Sequence, residues 1–501
     1  MNERKIGILI SYINILFQTL INFIYVPILL YYIGKSEYGL YQLIGSFIAY
    51  FSIMDFGLTA AVVRFYTKYK TLNDKISMEN VLAISTRCYA VITLILFIIG
   101  YICYLFIDDI FYNSMTSSEI SSAKNIFILL LLNIVVTIST MIFRAIINAH
   151  EKFLFLKGIE TIQLVLQPIL VVAILQEYPY AFSVALVQTI LNIFLSIARG
   201  FYCFKRLKIR IKYHYWDKKL FKEFKKLALS VFAVTLIDQV FFKTNQIILG
   251  IISGTSAVAV YAIASLIYMN YMALSLAISG VYLPHVTEMV AKKEAMKLIS
   301  NLFINIGRWQ YFLLAAISSG FFIFGKTFIV FWAGKGFEDA YWITLLIIIP
   351  FTIDLIQNIG LSILQAENKY DFRAKVYFCM GVFNLCLAIP LAKMYGGIGC
   401  AFATGLSMFI GNGLIMNWYY LNITKLDIIL FWKNISKITI GVIIVTIIGY
   451  IFNGMIEDKN IIVFIMKLLI YTILYIGVMY KFFMNIDEKS KIKSLVLKFK
   501  R

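Results

Sequence analysis

The sequence predicts an all-α, polytopic membrane protein with 14 transmembrane helices, arranged as two pseudo-symmetric six-helix lobes and a C-terminal helix pair. Three observations predict this fold class. The 501 residues are 61% hydrophobic and only 14% charged. The chain contains fourteen apolar runs, each near the roughly 20 residues that cross a bilayer as a helix. Lysine and arginine concentrate on alternate connections between these runs.

The apolar runs follow one another along almost the whole chain. Polar or charged residues separate them, so each run is predicted to form one membrane-spanning helix. Numbered from the N-terminus, the predicted spans cover residues 8–33, 38–63, 81–107, 125–148, 158–176, 181–204, 227–252, 257–283, 309–333, 340–365, 375–393, 398–421, 438–454 and 461–484.

Basic residues are divided very unevenly between the two sets of alternate connections. When Lys375 and Lys393, at the two ends of span 375–393, are counted with the adjoining connections, one set carries 34 of the 46 lysines and arginines, the other carries five, and seven lie within spans. Basic connections remain in the cytoplasm, so we expect both termini to be cytoplasmic. Such segments touch anionic lipid headgroups, which accounts for the net charge of +20 without nucleic acid as a partner.

Two pairs of segments match at nearly one spacing, which indicates an internal repeat. Residues 32–41 match 252–261 at an offset of 220, and residues 146–155 match 363–372 at an offset of 217. In each pair, a span of the first half corresponds to the span six places later: span one to span seven, and span four to span ten. The predicted domains are an N-terminal six-helix lobe (1–204), a basic cytoplasmic linker (205–226), a C-terminal six-helix lobe (227–421), and helices 13–14 with a basic tail (422–501).

Polar residues recur in spans one, four, seven and ten at steps that favour one helical face. Because these spans are repeat partners, the pattern favours a shared water-filled cavity between the lobes. The alternative is hydrogen bonding between packed helices. The polar residues are Ser11, Asn14, Gln18, Asn22 and Tyr25 in span one; Asn133, Thr137, Thr140, Arg144 and Asn148 in span four; Asp238 and Asn245 with neighbouring Gln239, Lys243 and Gln246 in span seven; and Asp354, Gln357, Asn358, Ser362 and Gln365 in span ten.

Charged residues in the middle of a span are costly, at about 2.5–3.5 kcal/mol each on insertion scales, and are therefore candidates for function. Lys243 and three carboxylates, Asp55, Asp238 and Asp354, are the most deeply placed. A carboxylate there can bind a coupling cation, H⁺ or Na⁺, or neutralise a neighbouring charge. Asp238 is the first candidate for coupling, and no other cofactor is expected.

The sequence offers no catalytic or metal-binding pattern. Its three histidines fall in or at cytoplasmic connections, and its six cysteines show neither paired nor metal-ligand spacing. The longest outer loop, 108–124, has only about 17 residues. Asp108-Asp109 in that loop would suit a membrane glycosyltransferase or glycan polymerase, but a solvated loop explains them more simply. We therefore expect a protein that is not an enzyme and that acts inside the membrane.

Three segments carry a family resemblance. Residues 33–41 (Ile-Gly-Lys-Ser-Glu-Tyr-Gly-Leu-Tyr), residues 54–58 (Met-Asp-Phe-Gly-Leu) and Arg64-Phe65 resemble the start of Wzx-type polysaccharide biosynthesis flippases. These belong to the MATE-like multidrug/oligosaccharidyl-lipid/polysaccharide superfamily. Residues 148–153 and 364–369 are also similar to loops of that family.

The resemblance implies a location in the bacterial inner (cytoplasmic) membrane and the export of O-antigen, capsule or exopolysaccharide repeat units on undecaprenyl pyrophosphate, by alternating access between two lobes. It also implies a glycan polymerase and glycosyltransferases of the same pathway as partners. A cation-coupled multidrug exporter and a lipid II flippase are related alternatives.

A pyrophosphate headgroup needs fixed positive charge along its route through the bilayer. Arg144 offers a bidentate fork near the cytoplasmic end of span four, and Lys243 lies midway along span seven. The rival interpretation makes Lys243 a structural counter-ion of Asp55 or Asp354. The candidate substrate-binding or cavity residues are Arg144, Lys243, Asn14, Gln18, Asn22, Asn245, Gln246, Gln357 and Asn358.

Overall fold

The computed structural model describes residues 3–367, 369–457 and 460–499, without the side chains of residues 3–16, 219, 225–230, 233–234 and 495–499. Within these ranges all regular secondary structure is helical and no residue forms a β-strand. The helices group into two compact units, Met1–Ala262 and Ile263–Arg501. This division falls after the predicted linker, and the predicted domain boundaries stay predictions.

In the first unit, α5 is the central helix and packs against α1, α2, α3 and α7. Helix α1 also packs against α6 and α8. The N-terminus of α5 is fixed by reciprocal hydrogen bonds between Thr116 and Glu119, a capping box. The helices are α1 (Glu3–Phe51), α2 (Leu58–Thr71), α3 (Lys75–Leu105), α4 (Ile107–Phe111), α5 (Ser117–Ala149), α6 (Phe153–Leu175), α7 (Ala181–Phe201), α8 (Lys218–Ser253) and the beginning of α9 (Thr255–Ala291).

In the second unit, α10 packs against α11, α15 and α16. Phe324, Val445 and Tyr475 belong to the apolar cluster that joins α10 to α15 and α16. Turns of π-helix follow α13 and α16. The helices are the remainder of α9, then α10 (Met296–Ala333), α11 (Asp339–Leu355), α12 (Asn358–Ala366), α13 (Tyr370–Met408), α14 (Asn417–Asn422), α15 (Ile428–Met455), α16 (Ile461–Val478) and α17 (Ile486–Phe499).

Ten helices of the described chain are long and apolar enough to cross a membrane, or eleven if the bent pair α11 and α12 forms one span. Two of the ten each include parts of two predicted spans: Phe17–Thr71 includes residues 17–33 of span one and all of span two, and Tyr370–Asn422 includes spans eleven and twelve. Helix α8 covers the predicted span 227–252 but is not one of the ten. The all-helical, multi-pass membrane class is thus confirmed, whereas the count of fourteen stays a prediction.

The matched segments also share backbone geometry. Gly34 has φ 74° and ψ 177°, and Gly254, 220 positions later, has φ 78° and ψ −175°. Only glycine adopts this conformation readily. The second pair of segments shares a hydrogen-bond pattern. The N–H of residue 150 donates to the carbonyl of 146 and that of 152 to the carbonyl of 147. In the same way, the N–H of 367 donates to the carbonyl of 363 and that of 369 to the carbonyl of 364. These correspondences support the internal repeat.

Two predicted spans are interrupted. Span two leaves the α-helix after Phe51, and the left-handed residues Phe56 and Gly57 precede α2. A Cβ at Gly57 would lie 2.7 Å from side-chain atoms of Val231, so packing as well as backbone conformation favours glycine there. Span ten breaks between α11 and α12, which are bent by 41°. Apolar content predicts the length of a span but not such breaks.

Candidate functional site

The first unit contains a polar cavity of about 290 Å³ between α1, α5, α7 and α8. Lys243 of α8 lines it and is half-buried. None of the described lining residues is acidic. The structure thus brings together Lys243 of span seven and Asn133 of span four. The polar side chains that complete the lining are Tyr41, Gln42 and Ser46 of α1 and Gln188 of α7.

Hydrogen bonds between helices orient the carboxamides around this cavity. The Tyr41 hydroxyl donates to Gln188 Oε1 over 2.5 Å. Asn192 Nδ2 donates to Asn133 Oδ1 over 3.1 Å and to Thr137 Oγ1 over 2.7 Å. The carboxamide oxygens of Asn133 and Gln188 therefore already accept protein hydrogen bonds.

Asn245 and Gln246 follow Lys243 on α8, and both are buried. Asn245 Nδ2 donates to the hydroxyl of Tyr261 over 2.8 Å, and Gln246 Oε1 accepts a short hydrogen bond from Ser46 Oγ. Both contacts are hydrogen bonds between packed helices, as in the alternative to a water-filled cavity. Substrate binding by Asn245 and Gln246 stays a prediction.

Arg144 forms an ion pair that the sequence analysis missed. Its Nη2 lies 3.0 Å from Glu160 Oε1, and Lys157 Nζ lies 2.8 Å from the other oxygen of that carboxylate. The Arg144 side chain is 43% exposed, so a ligand anion could reach it. Glu160 belongs to the next helix, and no periodicity within span four indicates the pairing. The headgroup role of Arg144 stays a prediction.

Asp55 accepts hydrogen bonds from two hydroxyls, Thr59 Oγ1 at 2.8 Å and Tyr89 OH at 2.9 Å. These contacts connect the break in span two to α2 and α3. Within the described ranges Lys243 makes no hydrogen bond or ion pair, so this conformation contains no Lys243–Asp55 pair. Asp238 is half-buried on α8. Ion coupling by either carboxylate stays a prediction.

In the second unit, Asp354 pairs with Arg373, which the sequence analysis also missed. Arg373 Nη2 lies 3.1 Å from Asp354 Oδ1 and 3.4 Å from Oδ2, and Nη1 donates to Asn412. The predicted start of span eleven at residue 375 leaves Arg373 in a loop. Helix α13 instead begins at Tyr370 and buries the guanidinium. Asp354 thus already has a cationic partner within its own unit.

Gln357 and Asn358 lie at the break between α11 and α12, and both are buried. Gln357 Nε2 donates to Asn417 Oδ1 over 2.8 Å, and Asn358 Nδ2 donates to Ser275 Oγ over 3.1 Å. Each of these hydrogen bonds joins the break to a side chain of another helix, α14 or α9. Structural hydrogen bonding therefore accounts for both residues, and their binding role stays a prediction.

The candidates of span one lie near the N-terminus of α1. Gln18 is exposed and Asn22 is partly exposed. The side chain of Asn14 lies outside the described residues. Cavity lining by all three stays a prediction.

His150 is hydrogen-bonded to a tyrosine. His150 Nε2 lies 3.0 Å from the Tyr66 hydroxyl. Burial, helped by Lys70 and Lys152, lowers the pKa of His150 to about 4, so the ring is neutral at neutral pH. In the part of the chain that the structure describes, no three His, Cys, Asp or Glu side chains are grouped to hold a metal ion.

The second unit contains an apolar cavity of about 980 Å³ lined by α9, α10, α16 and α17. Aromatic and aliphatic side chains form almost all of its wall, among them Trp309, Phe324, Phe464 and Leu468. Lys491 of α17 lines it as well. An apolar cavity of this volume with a cationic side chain at its wall suits a lipid chain that carries an anionic group.

The family model for polysaccharide biosynthesis proteins matches residues 5–290. The chain belongs to this family. A relative in Shigella flexneri, described as "Putative O-antigen transporter", is 22% identical over 396 residues, which cover 77% of this chain and 90% of the relative. The match confirms the resemblance seen in residues 33–41 and 54–58, and with it a membrane transporter of polysaccharide biosynthesis rather than an enzyme.

Two solved structures have a similar fold. The lipid II flippase MurJ, in an inward closed conformation, has a TM-score of 0.74 and 17% identity over 95% of this chain and 99% of its own. A multidrug resistance MATE family transporter of the MOP superfamily, in an inward-facing conformation, has a TM-score of 0.63 and 12% identity over 82% and 95%. At these identities the likeness concerns the fold alone.

Proposed function

We propose that this protein is a flippase that moves undecaprenyl-pyrophosphate-linked oligosaccharide repeat units from the cytoplasmic to the outer leaflet, by alternating access between two lobes. Membership of the polysaccharide biosynthesis family carries the proposal. The apolar cavity of about 980 Å³ supports it, because a polyprenyl chain needs a long apolar surface. The glycan polymerase and glycosyltransferases of the pathway are its proposed protein partners.

Deletion of the gene in its host tests this function. Surface polysaccharide should be lost and undecaprenyl-pyrophosphate-linked repeat units should accumulate on the cytoplasmic leaflet, as measured by immunoblotting and lipid extraction. Loss of drug resistance with unchanged polysaccharide would favour the multidrug exporter. Arrested cell-wall synthesis with accumulated lipid II would favour the lipid II flippase.

The apolar cavity provides a sharper test within the protein. Leu468 lines the cavity, whereas its neighbour Leu469 does not and is 56% exposed. Leu468→Trp should lower export about tenfold or more, because the larger ring fills space needed by the lipid chain. Leu469→Trp should preserve export at equal protein amount. Equal export by both variants would exclude the cavity as the lipid site.

The orientation of the chain is part of the same proposal, with both termini in the cytoplasm. In a cysteine-free background, Ser117→Cys should react with an impermeant maleimide from outside, whereas Asn73→Cys and Lys218→Cys should react only after permeabilisation. All three positions are exposed. Thr255, also predicted to lie outside, is buried and is unsuitable for labelling. The reverse pattern would overturn the topology.

Asp238 is the residue proposed to couple transport to an energy source. A cation, H⁺ or Na⁺, bound at Asp238 would link transport to an ion gradient. Asp238→Asn should then remove the ion dependence of export in vesicles. Unchanged ion dependence would exclude Asp238.

A further inference from the structure

Three connections that are predicted to lie outside the membrane meet at one place in the first unit. They are residues 34–37 between spans one and two, 108–124 between spans three and four, and 253–256 between spans seven and eight. Ser36 Oγ and Thr255 Oγ1 both donate to Glu119 Oε1, over 2.6 Å and 2.9 Å. Glu119 caps the helix that follows the second connection, and a Cβ at Gly254 would lie 2.7 Å from the carbonyl oxygen of Ser114. One carboxylate therefore joins the three connections.

Two of these connections are partners in the internal repeat. Gly34 and Gly254 correspond at the offset of 220 and share one backbone conformation. Because each half has an even number of predicted spans, the repeat axis runs along the membrane normal. Segments related by such an axis can touch each other only where both lie next to it. The contact between Ser36 and Thr255 therefore lies beside the axis, where the two predicted lobes meet.

This contact consists of small residues and of hydrogen bonds that water can replace. A Cβ at Gly39 would lie 1.9 Å from the carbonyl oxygen of Thr255, so the two backbones meet directly at this point. Ser36 and Glu119 are both partly exposed. When the segments separate, water can therefore take the place of each partner in these hydrogen bonds. A contact of this kind can open and close without the unlocking of large side chains.

We infer that Glu119 is the gate residue that holds the protein closed to the outside, with Ser36 and Thr255 as its hydrogen-bond donors. The inference rests on the proposed flippase function, because alternating access requires contacts on the outer side to break in each cycle. Glu119 is a positioning residue and need not touch the transported molecule. Its second oxygen, Oε2, accepts from the N–H of Thr116 over 2.9 Å. The capping box thus keeps the carboxylate in place while Thr255 leaves and returns.

A reversible disulfide bond tests whether this contact opens. In a cysteine-free background, Ser36→Cys with Thr255→Cys should form the bond on mild oxidation, because the two hydroxyl oxygens are 2.9 Å apart. Oxidation should lower glycan export by the double variant at least about tenfold, and dithiothreitol should restore it. Oxidation should not change export by either single variant. Normal export by the oxidised double variant, or failure of the bond to form in folded protein, would overturn the inference.

Labelling from outside measures the opening without transport. Gly45 lies about 9 Å farther along α1 than Gly39, lines the polar cavity, and has open space for a Cβ. In a Gly45→Cys background, Glu119→Gln should raise the rate of reaction with an impermeant maleimide about tenfold or more. The cause is that a neutral amide accepts hydrogen bonds more weakly than a carboxylate. Glutamine still completes a capping box, so the variant should keep the start of α5.

Glu37→Gln is the matched control for this measurement. Glu37 Oε2 accepts from the N–H of Ala181 over 2.8 Å, and both residues belong to the predicted N-terminal lobe. Its loss of charge should therefore leave the labelling rate unchanged. Equal labelling of the Glu119→Gln and Glu37→Gln variants would exclude the gate, even if Glu119→Gln lowered the melting temperature, since that result describes a purely structural residue.

Thr255 provides a second pair of variants if Glu119→Gln fails to fold. Thr255→Val lacks the hydroxyl and should raise the labelling rate, whereas Thr255→Ser retains it and should not. The opposite order, or no difference between the two, would contradict the gate.

The gate and the proposed function can fail separately, because labelling does not depend on the transported molecule. Faster labelling of Glu119→Gln with unchanged polysaccharide after gene deletion would support the gate and exclude the flippase function. Loss of polysaccharide after deletion with normal export by the oxidised double variant would exclude the gate alone.

Discussion

Glu488→Ala should lower the free energy of unfolding by about 3–5 kcal/mol, because it leaves the Arg308 guanidinium buried without its carboxylate. Arg308 Nε lies 2.7 Å from Glu488 Oε1, and Nη2 lies 2.9 Å from Oε2. The two residues are only 2% and 5% exposed. Nη2 also donates to the carbonyl of Phe483 over 3.1 Å. This bidentate pair anchors α17 to α10.

Denaturation of the purified protein in detergent would measure the effect. Glu288→Ala is the matched control, because Glu288 forms an ion pair with Lys292 that is exposed to solvent, and such pairs contribute little. Arg308→Met with Glu488→Met should regain most of the lost stability, since no charge is then left buried. If Glu488→Ala is as stable as Glu288→Ala, the ion pair does not hold the helix in place.

Glu488→Ala should also impair export. Met484 and Lys491, on either side of Glu488, line the apolar cavity. Detachment of α17 would therefore change the wall on which the proposed lipid chain lies. Loss of stability with normal export would separate the ion pair from the cavity.

The fold class could be predicted because its causes are local. An apolar run of sufficient length must form a helix in lipid, since its backbone groups have no other partner. The shared geometry of the two matched turns also has a local cause, because Gly34 and Gly254 adopt the same unusual backbone conformation and the sequence retains glycine at both.

The interactions within the candidate site could not be predicted, because they join distant parts of the chain. The polar face of span four is recognisable from its spacing. The hydrogen bond from Asn192 to the carboxamide oxygen of Asn133, however, depends on how α7 packs against α5. Glu160 and Arg373 illustrate the same limit. A single helical period indicates which residues share a face, but not which of them already have a partner.

Helix breaks were missed for a related reason. The apolar run 38–63 continues past Asp55, so the sequence predicts one span, whereas in the structure the α-helix ends at Phe51 and Phe56 and Gly57 are left-handed. The motif that carries the family resemblance, residues 54–58, therefore coincides with a break in the span. The Asp55 carboxylate next to this break accepts the Thr59 and Tyr89 hydroxyls.

Gly39→Ala should prevent the first unit from packing correctly, because the added methyl group would meet backbone on the facing helix. A Cβ at Gly39 would lie 1.9 Å from the carbonyl oxygen of Thr255 and 3.2 Å from the amide nitrogen of Ala259. Side chains can rotate away from such contacts, but backbone cannot, so α1 and α9 would have to separate. Overpacking costs about 1–3 kcal/mol in ordinary cores and occasionally more, and a backbone clash belongs at the upper end.

Separation of these helices would also weaken hydrogen bonds at the same crossing. Ser36 Oγ lies 2.9 Å from Thr255 Oγ1, and both hydroxyls donate to Glu119 Oε1, over 2.6 Å and 2.9 Å. Gly158→Ala is the matched control, because nothing lies within 4 Å of a Cβ at that position of α6. Alanine there should be neutral or stabilising by up to about 1 kcal/mol. Thermal unfolding and the yield of folded protein would compare the two variants, and equal behaviour would show that α1 and α9 do not meet at Gly39.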